Sequence, residues 1–288
     1  TATGTWHESV NMAGVLNLPV VFTVQNNQFA YSSPNETEFG TPNVADRGAG
    51  YGIPSLIIDG NDIYDVIDSI HEACENARKG KGPTLIELVT FRHYGHAGHD
   101  PADYVEDEVR DFWMKRDPIA RFEDSLLTEG LFSEDDFIQL ESDLETEIKE
   151  TLEWAKTQEE PDPKDELNDM FAKRTIPVIE NTENNLQTMN FIEAINNGLD
   201  ELMKNDEGVF IMGEDVGVFE GAFKATKGLF EKYGPFRVID TAISEGGFTG
   251  AAVGAALAGQ KPIVELQFYD FVYPALDQLT TEAAKYHW

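Results

Sequence analysis

The strongest constraint on the fold is a repeated pattern in which short apolar runs alternate with amphipathic segments. The runs at residues 19–24, 56–59 and 85–89 are rich in Val, Ile and Leu. Such runs are typical of parallel strands that are covered on both faces. Residues 6–18 and 63–77 instead carry apolar side chains at helical spacing. Strands that alternate with helices predict an α/β fold built on a doubly wound parallel sheet.

The second half of the chain repeats this pattern. A helix is predicted over residues 191–202, strands over 209–212 and 237–240, and a helix of small residues through Gly250, Gly254 and Ala258. The length of 288 residues also suits about two domains of roughly 150 residues each. We therefore predict two doubly wound parallel-sheet domains joined by a helical, acidic segment and a linker. The predicted boundaries are 1–105 for the first domain, 106–160 for the acidic extension, 161–187 for the linker and 188–288 for the second domain.

The charge of the chain restricts its partners. The 53 Asp and Glu residues outnumber the 21 Lys and Arg residues, which gives a net charge of −32. A field of this sign repels phosphate backbones and anionic lipids, so we predict neither a nucleic-acid nor a membrane partner. Residues 101–170 carry 24 of the acidic residues against 7 basic ones. This segment is either a solvated helical face or a docking site for a basic partner.

The single cysteine, Cys74, has no second cysteine in the chain with which to form a disulfide. Helical spacing places it on the apolar face of the segment 63–77, where we predict that it is buried. Free cysteines of this kind are typical of reducing compartments. We therefore predict a cytoplasmic location, of the bacterial type.

The first candidate site residue is Asn27, which follows the predicted strand 19–24. An amide oxygen is a neutral, hard ligand for Mg²⁺, and the carboxyl ends of parallel strands are where α/β sheets bind ligands. A helix predicted to begin at Trp6, with Thr5 and Glu8 as a capping box, would offer its positive end to a diphosphate. Ordinary turn formation by Asn26 and Asn27 is the alternative.

The second candidate is a glycine-interrupted loop that follows the strand 85–89 and holds Arg92, His93, His96 and His99. Arg92 and His96 could grip an anion such as a phosphate. The three histidines could also form a metal cluster, or simply lie on the surface.

The third candidate is Glu245, which stands between a predicted strand and a glycine-rich helix start. An acid at this place is commonly a helix cap. It could instead share a proton with a ring nitrogen, the chemistry of an activated aminopyrimidine. The run from Gly246 to Gly259 lacks the spacing of a dinucleotide fingerprint, and Gly250 and Gly254 indicate close helix packing.

Taken together, the segments resemble the thiamine-diphosphate-dependent decarboxylating component of 2-oxo acid dehydrogenase complexes, with an alpha-type part followed by a beta-type part. The resemblance covers nearly the whole chain and is loose only between about 105 and 185. The matching alpha-type strings are Trp6-His7-Glu8-Ser9-Val10-Asn11, Leu18-Pro19-Val20-Val21-Phe22, Asn26-Asn27, 44–54, Ile58-Asp59-Gly60-Asn61-Asp62, Gly82-Pro83-Thr84-Leu85-Ile86-Glu87, Gly95-His96 and Asp117-Pro118-Ile119. The beta-type strings are Gly213-Glu214-Asp215-Val216, Gly228-Leu229-Phe230, Arg237-Val238-Ile239-Asp240-Thr241, Ile243-Ser244-Glu245, Gln267-Phe268 and Ala275 with Asp277-Gln278.

The resemblance implies a role for each candidate residue. Asn27 and the backbone carbonyl of Phe29 would ligate Mg²⁺, and Arg92 and His96 would lie near the cofactor phosphates. Glu245 would hydrogen-bond the pyrimidine N1′ nitrogen, and Glu214 would belong to a proton path between paired sites. Glu245, His96 and Glu214 would thus be the catalytic residues. The family commonly has Tyr-Arg where this chain has Tyr104-Val105.

The resemblance also implies the activity: oxidative decarboxylation of a 2-oxo acid by an oxidoreductase of class 1.2.4, which uses thiamine diphosphate and Mg²⁺. The acyl group would pass to the lipoyl group of a partner acyltransferase, and the fused chains would self-associate as a dimer. Branched-chain 2-oxo acids and pyruvate are favoured as substrates, and acetoin stays open. The alternatives are an enzyme of the transketolase type, a non-catalytic interface subunit and a metal-binding protein.

The family's spacing implies, in addition, that the chain is an internal fragment. A Gly-Asp-Gly aspartate that ligates the metal would precede Thr1, and a further histidine would follow Trp288. The fragment alone is expected to be inactive. The site is expected to form between an alpha-type and a beta-type surface, within one chain or across a dimer.

Overall fold

The computed structural model describes residues 1–168 and 188–286, so part of the predicted linker 161–187 lies outside the described residues. The chain divides into two compact units. Among the described residues, one unit comprises 17–168 and the other comprises 1–16 together with 188–286. In the part of the chain that is described, no helix combines the length and the apolar character that a membrane crossing requires.

The unit 17–168 contains a three-stranded parallel sheet, a separate short antiparallel hairpin and five helices. Its strands are β1 Val21–Asn26, β2 Phe29–Ala30, β3 Ser33–Pro34, β4 Ser55–Asp59 and β5 Thr84–Val89. Its helices are α2 Asn35–Glu38, α3 Ile63–Arg78, α4 Asp107–Met114, α5 Pro118–Thr128 and α6 Glu134–Lys156, with 3₁₀ turns at Ala45–Tyr51 and Pro163–Leu167.

The sheet has the strand order β1-β5-β4, and both pairings are parallel. β5 is the central strand, and its residues from Thr84 to Glu87 are buried. β1 is an edge strand among the described strands, and only Val24 and Asn26 of it are buried. The prediction that the run 19–24 is covered on both faces is therefore wrong, because Thr23 is exposed on the other face. The α/β class with parallel sheets is confirmed.

Helix α3 begins where predicted, because the Asp62 side chain accepts hydrogen bonds from the amides of Tyr64 and Asp65. Its buried face is centred on Ala73 and Ala77. Cys74 is only half-buried, so the prediction that this thiol is buried is wrong.

Helices α4 to α6 form the acidic extension. Asp59 at the end of β4 accepts hydrogen bonds from Arg116 Nη2 at 2.8 Å and from Arg121 Nη1 at 3.0 Å, which ties α5 to the sheet. Burial raises the pKa of Asp59, but the Asn61 amide and the two arginines outweigh it and leave this pKa below its ordinary value. Helix α6 begins with a capping box of Ser133 and Asp136 and is exposed along almost its whole length.

The second unit is built on a parallel sheet of order β7-β6-β8. Its strands are β6 Val209–Gly213, β7 Val238–Asp240 and β8 Lys261–Glu265. Its helices are α1 Gly4–Val15, α7 Phe191–Asn205, α8 Leu229–Tyr233, α9 Glu245–Leu257 and α10 Val272–Asp277, followed by a π-helical turn Gln278–Ala283. Arg237 donates to the carbonyl oxygens of Met203, Asp206 and Val209, and so ties the end of α7 to β6.

Helices α1 and α9 pack closely because two glycines follow Glu245 in the first turn of α9. A Cβ atom on Gly246 would lie 3.0 Å from Glu8 Oε2, and one on Gly247 would lie 3.0 Å from Glu8 Cβ. Gly250 faces the Gln278 side chain, whereas a Cβ on Gly254 would meet nothing within 4 Å. The packing role predicted for Gly254 is therefore wrong, since the close approach lies one to two turns earlier in the helix.

Candidate active site

In the unit 17–168, the candidate site begins with a turn directly after β1. The Asn27 Oδ1 atom accepts the Phe29 amide at 3.3 Å, and Gln28 has a φ of 74° between them. The Gln28 side chain donates to the carbonyl oxygens of Asn26 and Thr90, which joins the ends of β1 and β5. The turn therefore holds the Asn27 amide and the Phe29 carbonyl at the carboxyl edge of the sheet, where α/β proteins bind ligands.

The loop after β5 is held in place by Asp100. Its carboxylate accepts the His96 amide at 2.6 Å, the Ala102 amide at 2.9 Å and the Tyr104 hydroxyl at 2.8 Å. These donors, the His96 amide foremost, hold the pKa of Asp100 below its ordinary value. A Cβ atom on Gly95 would lie 1.9 Å from the Asp100 carbonyl oxygen, so the loop closes only with glycine there.

Arg92 connects this loop to the turn after β1. Its Nη2 atom donates to the Tyr31 carbonyl and the Tyr104 hydroxyl, both at 2.6 Å. Its Nη1 atom lies 3.5 Å from His96 Nδ1, and the His96 ring packs on Tyr31 with a centroid distance of 4.8 Å. The structure thus brings Arg92 and His96 together, next to the segment that carries Phe29.

His93 contacts the start of helix α5 rather than the turn after β1. Its Nδ1 atom lies 3.2 Å from Asp117 Oδ2, and Asp117 caps α5 through the amides of Ile119 and Ala120. Across residues 1–168 and 188–286, no group of three or more His, Cys, Asp or Glu side chains is placed to hold a metal. The three-histidine hypothesis therefore finds no support in the geometry.

A cavity of about 670 Å³ lies against this loop, and its lining includes His96, Asp100, Arg110 and Met114. Val105, which stands where the resembling family has arginine, is buried in an apolar cluster with Phe91. Arg110 on α4 instead donates to the Ala102 carbonyl at 2.8 Å. An arginine contact to the loop is thus present, but it comes from the following helix.

In the other unit, the candidate residue Glu245 is the first residue of α9 and is half-buried. The carboxylate that caps this helix belongs to Glu8, whose Oε2 atom accepts the Gly247 amide at 2.8 Å. The predicted capping box of Thr5 and Glu8 is therefore wrong, since α1 begins at Gly4 and Glu8 turns to α9. Within the described residues, no hydrogen bond engages the Glu245 carboxylate, so its oxygens are available to a ligand.

Glu214 lies close to Glu245. Burial raises the pKa of Glu214, and the negative charge of Glu245 raises it further. The Ser244 amide lowers it, but the net direction is upward. The Oε1 atom of Glu214 is buried and has no hydrogen-bond partner among the described residues. A carboxyl with these surroundings takes up a proton more readily than an exposed one.

Replacing Glu214 with glutamine is expected to raise the melting temperature at pH 7. The folded protein holds a proton on Glu214 to a higher pH than the unfolded chain, so this residue opposes folding increasingly as pH rises above the ordinary value of 4.5. The melting temperature should rise by about 2–4 °C for each kcal/mol by which the free energy of unfolding increases, and the rise should vanish near pH 4.

Thermal melts of Glu214→Gln and of Glu207→Gln, an exposed control, between pH 4 and pH 8 check this expectation. A melting temperature that falls at pH 7, or a gain that does not depend on pH, would contradict it.

Two features that shape the candidate site residues are not predicted from the sequence. The contact from Glu8 to Gly247 joins residues 239 positions apart, and no local pattern signals it. The second is the buried Glu87 in the middle of β5, for which a local signal exists, because a charged residue inside an apolar run predicts a specific partner.

Comparisons with known families agree with this architecture. The family model "Dehydrogenase E1 component" matches residues 1–164, and the model "Transketolase, pyrimidine binding domain" matches residues 187–288. The chain therefore belongs to the dehydrogenase E1 component family, and the resemblance found in the sequence is confirmed. The two domain types indicate dependence on thiamine diphosphate.

Individual relatives include both subunit types. The pyruvate dehydrogenase E1 component subunit alpha of Bacillus subtilis is 36% identical over 170 residues, which are 58% of this chain and 45% of that protein. The 3-methyl-2-oxobutanoate dehydrogenase subunit alpha of Mycobacterium tuberculosis is 42% identical over 135 residues, 46% of this chain and 37% of that protein. The mitochondrial pyruvate dehydrogenase E1 component subunit beta of Dictyostelium discoideum is 52% identical over 96 residues, 33% of this chain and 27% of that protein. The chain thus spans less than half of each of these relatives.

Proposed function

We propose that the protein carries out the oxidative decarboxylation of a 2-oxo acid, pyruvate or a branched-chain acid, with thiamine diphosphate and Mg²⁺. The observation that carries the proposal is the junction at the carboxyl edge of the first sheet. There the turn with Asn27 and Phe29 meets the loop with Arg92 and His96, through the bond from Arg92 to the Tyr31 carbonyl at 2.6 Å. Two neutral oxygens beside a cation and a histidine suit a metal-bound diphosphate.

The donor set fits magnesium. Asn27 Oδ1 makes only one long hydrogen bond within the described residues, so it keeps a lone pair for a cation. The Phe29 carbonyl would be the second ligand, and both are hard oxygens of the kind that Mg²⁺ prefers. Arg92 would offset the negative charge of the phosphates, and a ring nitrogen of His96 would help to orient them.

Thiamine diphosphate, when bound, supplies a nucleophilic carbon that attacks the keto group and takes up the electron pair released with CO₂. Glu245 would accept a hydrogen bond at the pyrimidine N1′ nitrogen and exchange a proton with it. Glu214, whose pKa is raised by burial and by Glu245, would store a proton beside this carboxylate. The negative charge of Glu245 thus favours the protonated form of Glu214.

The acyl group and two electrons would pass to the lipoyl disulfide of a partner acyltransferase, and the enzyme would self-associate. The families matched by the two parts of the chain support these proposals. Because the first matched family is the E1 component, the E1 reaction is favoured over a reaction of the transketolase type. The cytoplasmic location drawn from the single cysteine stays a prediction.

Turnover of a substrate panel by the full-length protein tests the proposed function. Reduction of an artificial electron acceptor, and then acyl transfer to a lipoylated acyltransferase, is measured with pyruvate, branched-chain 2-oxo acids and acetoin. CO₂ release is measured with the 2-oxo acids, since acetoin has no carboxyl group to lose. We expect release of CO₂ from pyruvate or a branched-chain acid that requires thiamine diphosphate. Absence of turnover with every acid, despite tight cofactor binding, would favour a non-catalytic interface subunit.

A further inference from the structure

Glu87 is a carboxylate that the proposed mechanism does not use, yet it is completely buried, with 0% exposure. It lies in the middle of the central strand β5, in register with Val24 of β1 and Ile57 of β4. Its Oε1 atom accepts Asn26 Nδ2 at 2.6 Å, and its Oε2 atom accepts the Ala45 amide at 2.8 Å. A buried carboxylate persists only where such donors replace water, so these two bonds are strong constraints.

The bond to Asn26 fixes the direction of the Asn26 amide group. With Nδ2 directed at Glu87, the Oδ1 atom must face the other way. There it accepts the Gln28 amide at 3.2 Å and Asn35 Nδ2 at 2.7 Å. A flipped amide would place its oxygen against the carboxylate and leave both of these donors facing an NH₂ group.

This amide holds the turn that presents the candidate metal ligands. Gln28, whose φ of 74° is unusual for a residue with a side chain, is fastened through its backbone amide to Asn26 Oδ1. Asn27 and Phe29 flank Gln28, so their oxygens take positions that depend on that bond. The chain of contacts therefore runs from Glu87 through Asn26 and Gln28 to the two oxygens.

We propose that Glu87 is a positioning residue that sets the Asn27 and Phe29 oxygens at the distance that Mg²⁺ requires. Mg²⁺ demands near-ideal octahedral geometry, so small displacements of a ligand weaken binding. The inference rests on the proposed function, because it assigns the metal to this turn.

The central test is Glu87→Gln in the full-length protein. A glutamine has one acceptor and one donor group, so its NH₂ must meet either Asn26 Nδ2 or the Ala45 amide. We expect the Mg²⁺ concentration that half-saturates thiamine diphosphate binding to rise about 10–100-fold, the range typical when a partner of a metal ligand is lost. The midpoint is measured by calorimetry at a fixed cofactor concentration, and Glu72→Gln on the exposed face of α3 is the matched control.

The double variant Glu87→Gln with Asn26→Asp exchanges the two groups. The amide introduced at position 87 then donates through its NH₂ to the carboxylate introduced at position 26, and its oxygen still accepts the Ala45 amide. The carboxylate at position 26 still accepts the donors of Gln28 and Asn35, and the net charge is unchanged. We expect the Mg²⁺ midpoint to return toward the wild-type value, which a general loss of stability would not produce.

A milder variant, Asn35→Ala, loosens the Asn26 amide from the partly exposed side and should not threaten folding. Like Glu87→Gln, it should raise the Mg²⁺ midpoint.

Melting temperatures measured without cofactor separate a contribution of Glu87 to stability from its role in positioning the metal ligands. The proposal is overturned if Glu87→Gln lowers the melting temperature but leaves the Mg²⁺ midpoint within about twofold, or if Asn35→Ala leaves it unchanged. If binding proves independent of Mg²⁺ in the wild-type protein, the metal assignment of the proposed function fails instead.

Discussion

Replacing Asn27 with alanine is expected to abolish magnesium-dependent binding of thiamine diphosphate. The change removes the side-chain oxygen that the turn after β1 directs to the carboxyl edge of the sheet. Mg²⁺ gives up its water reluctantly, so the loss of one protein ligand weakens the site strongly. The affinity should fall by more than about 100-fold, beyond the 10–100-fold typical for partners outside the ligand shell. Calorimetric titration of the cofactor, with and without a chelator, measures it.

A matched control removes a different asparagine amide from the same unit. Asn76 lies near the C-terminal end of α3 and accepts a hydrogen bond from Lys81 Nζ. Lys81 precedes β5, so Asn76 lies near the amino-terminal end of that strand, whereas Asn27 lies at the carboxyl edge of the sheet. Asn76→Ala should leave the cofactor affinity unchanged. An unchanged affinity in Asn27→Ala as well, or binding that a chelator does not affect in the wild-type protein, would refute the metal assignment.

Glu245→Gln is expected to reduce turnover about 10²–10⁴-fold, the usual contribution of a group that transfers a proton. The amide can still hydrogen-bond the pyrimidine ring, so the affinity for thiamine diphosphate should change little. It cannot exchange a proton with the N1′ nitrogen. Steady-state turnover, together with exchange of the thiazolium C2 proton followed by NMR, separates the loss of rate from the loss of binding.

Glu231→Gln provides the control for this variant, because Glu231 is also an acid in the first turn of a helix, α8. If Glu245 were only a helix cap, Glu245→Gln and Glu231→Gln would have similar small effects on stability and none on turnover. The Gly247 amide is already engaged by Glu8 at 2.8 Å, which favours the catalytic role. Proton exchange at the wild-type rate in Glu245→Gln would exclude that role.

Local patterns predicted much of the fold. β5 Thr84–Val89 and α3 Ile63–Arg78 lie within about one residue of the segments predicted for them, because an apolar run and a helical spacing of apolar residues are local signals. β8 Lys261–Glu265 escaped prediction, since its charged ends, its proline and its half-buried residues resemble no apolar run. The hairpin of β2 and β3 has two residues in each strand and is too short to give a period.

The sites were harder to predict because their contacts are long-range. The motif around Asn27 and the loop with His96 could be found from the sequence. Their junction through Arg92 and Tyr31 joins residues 61 positions apart and depends on the strand order β1-β5. The half-burial of Cys74 depends on which face of α3 meets the sheet. The helical spacing of the apolar residues does not distinguish the face of Cys74 from the neighbouring face of Ala73 and Ala77.

The packing of α1 bears on how this protein can be divided. Residues 1–16 fall within the segment matched by the E1 family, but they belong to the compact unit that carries the pyrimidine-binding match. Met12 of α1 is buried in one cluster with Met212, Phe248 and Ala252. If the polypeptide were cut between the two matched segments, the second piece would lack Met12 of this cluster. It would also lack Glu8, which caps α9. The family matches and the compact units therefore divide the chain differently: α1 lies in the segment that matches the E1 family, but it packs in the same unit as α9.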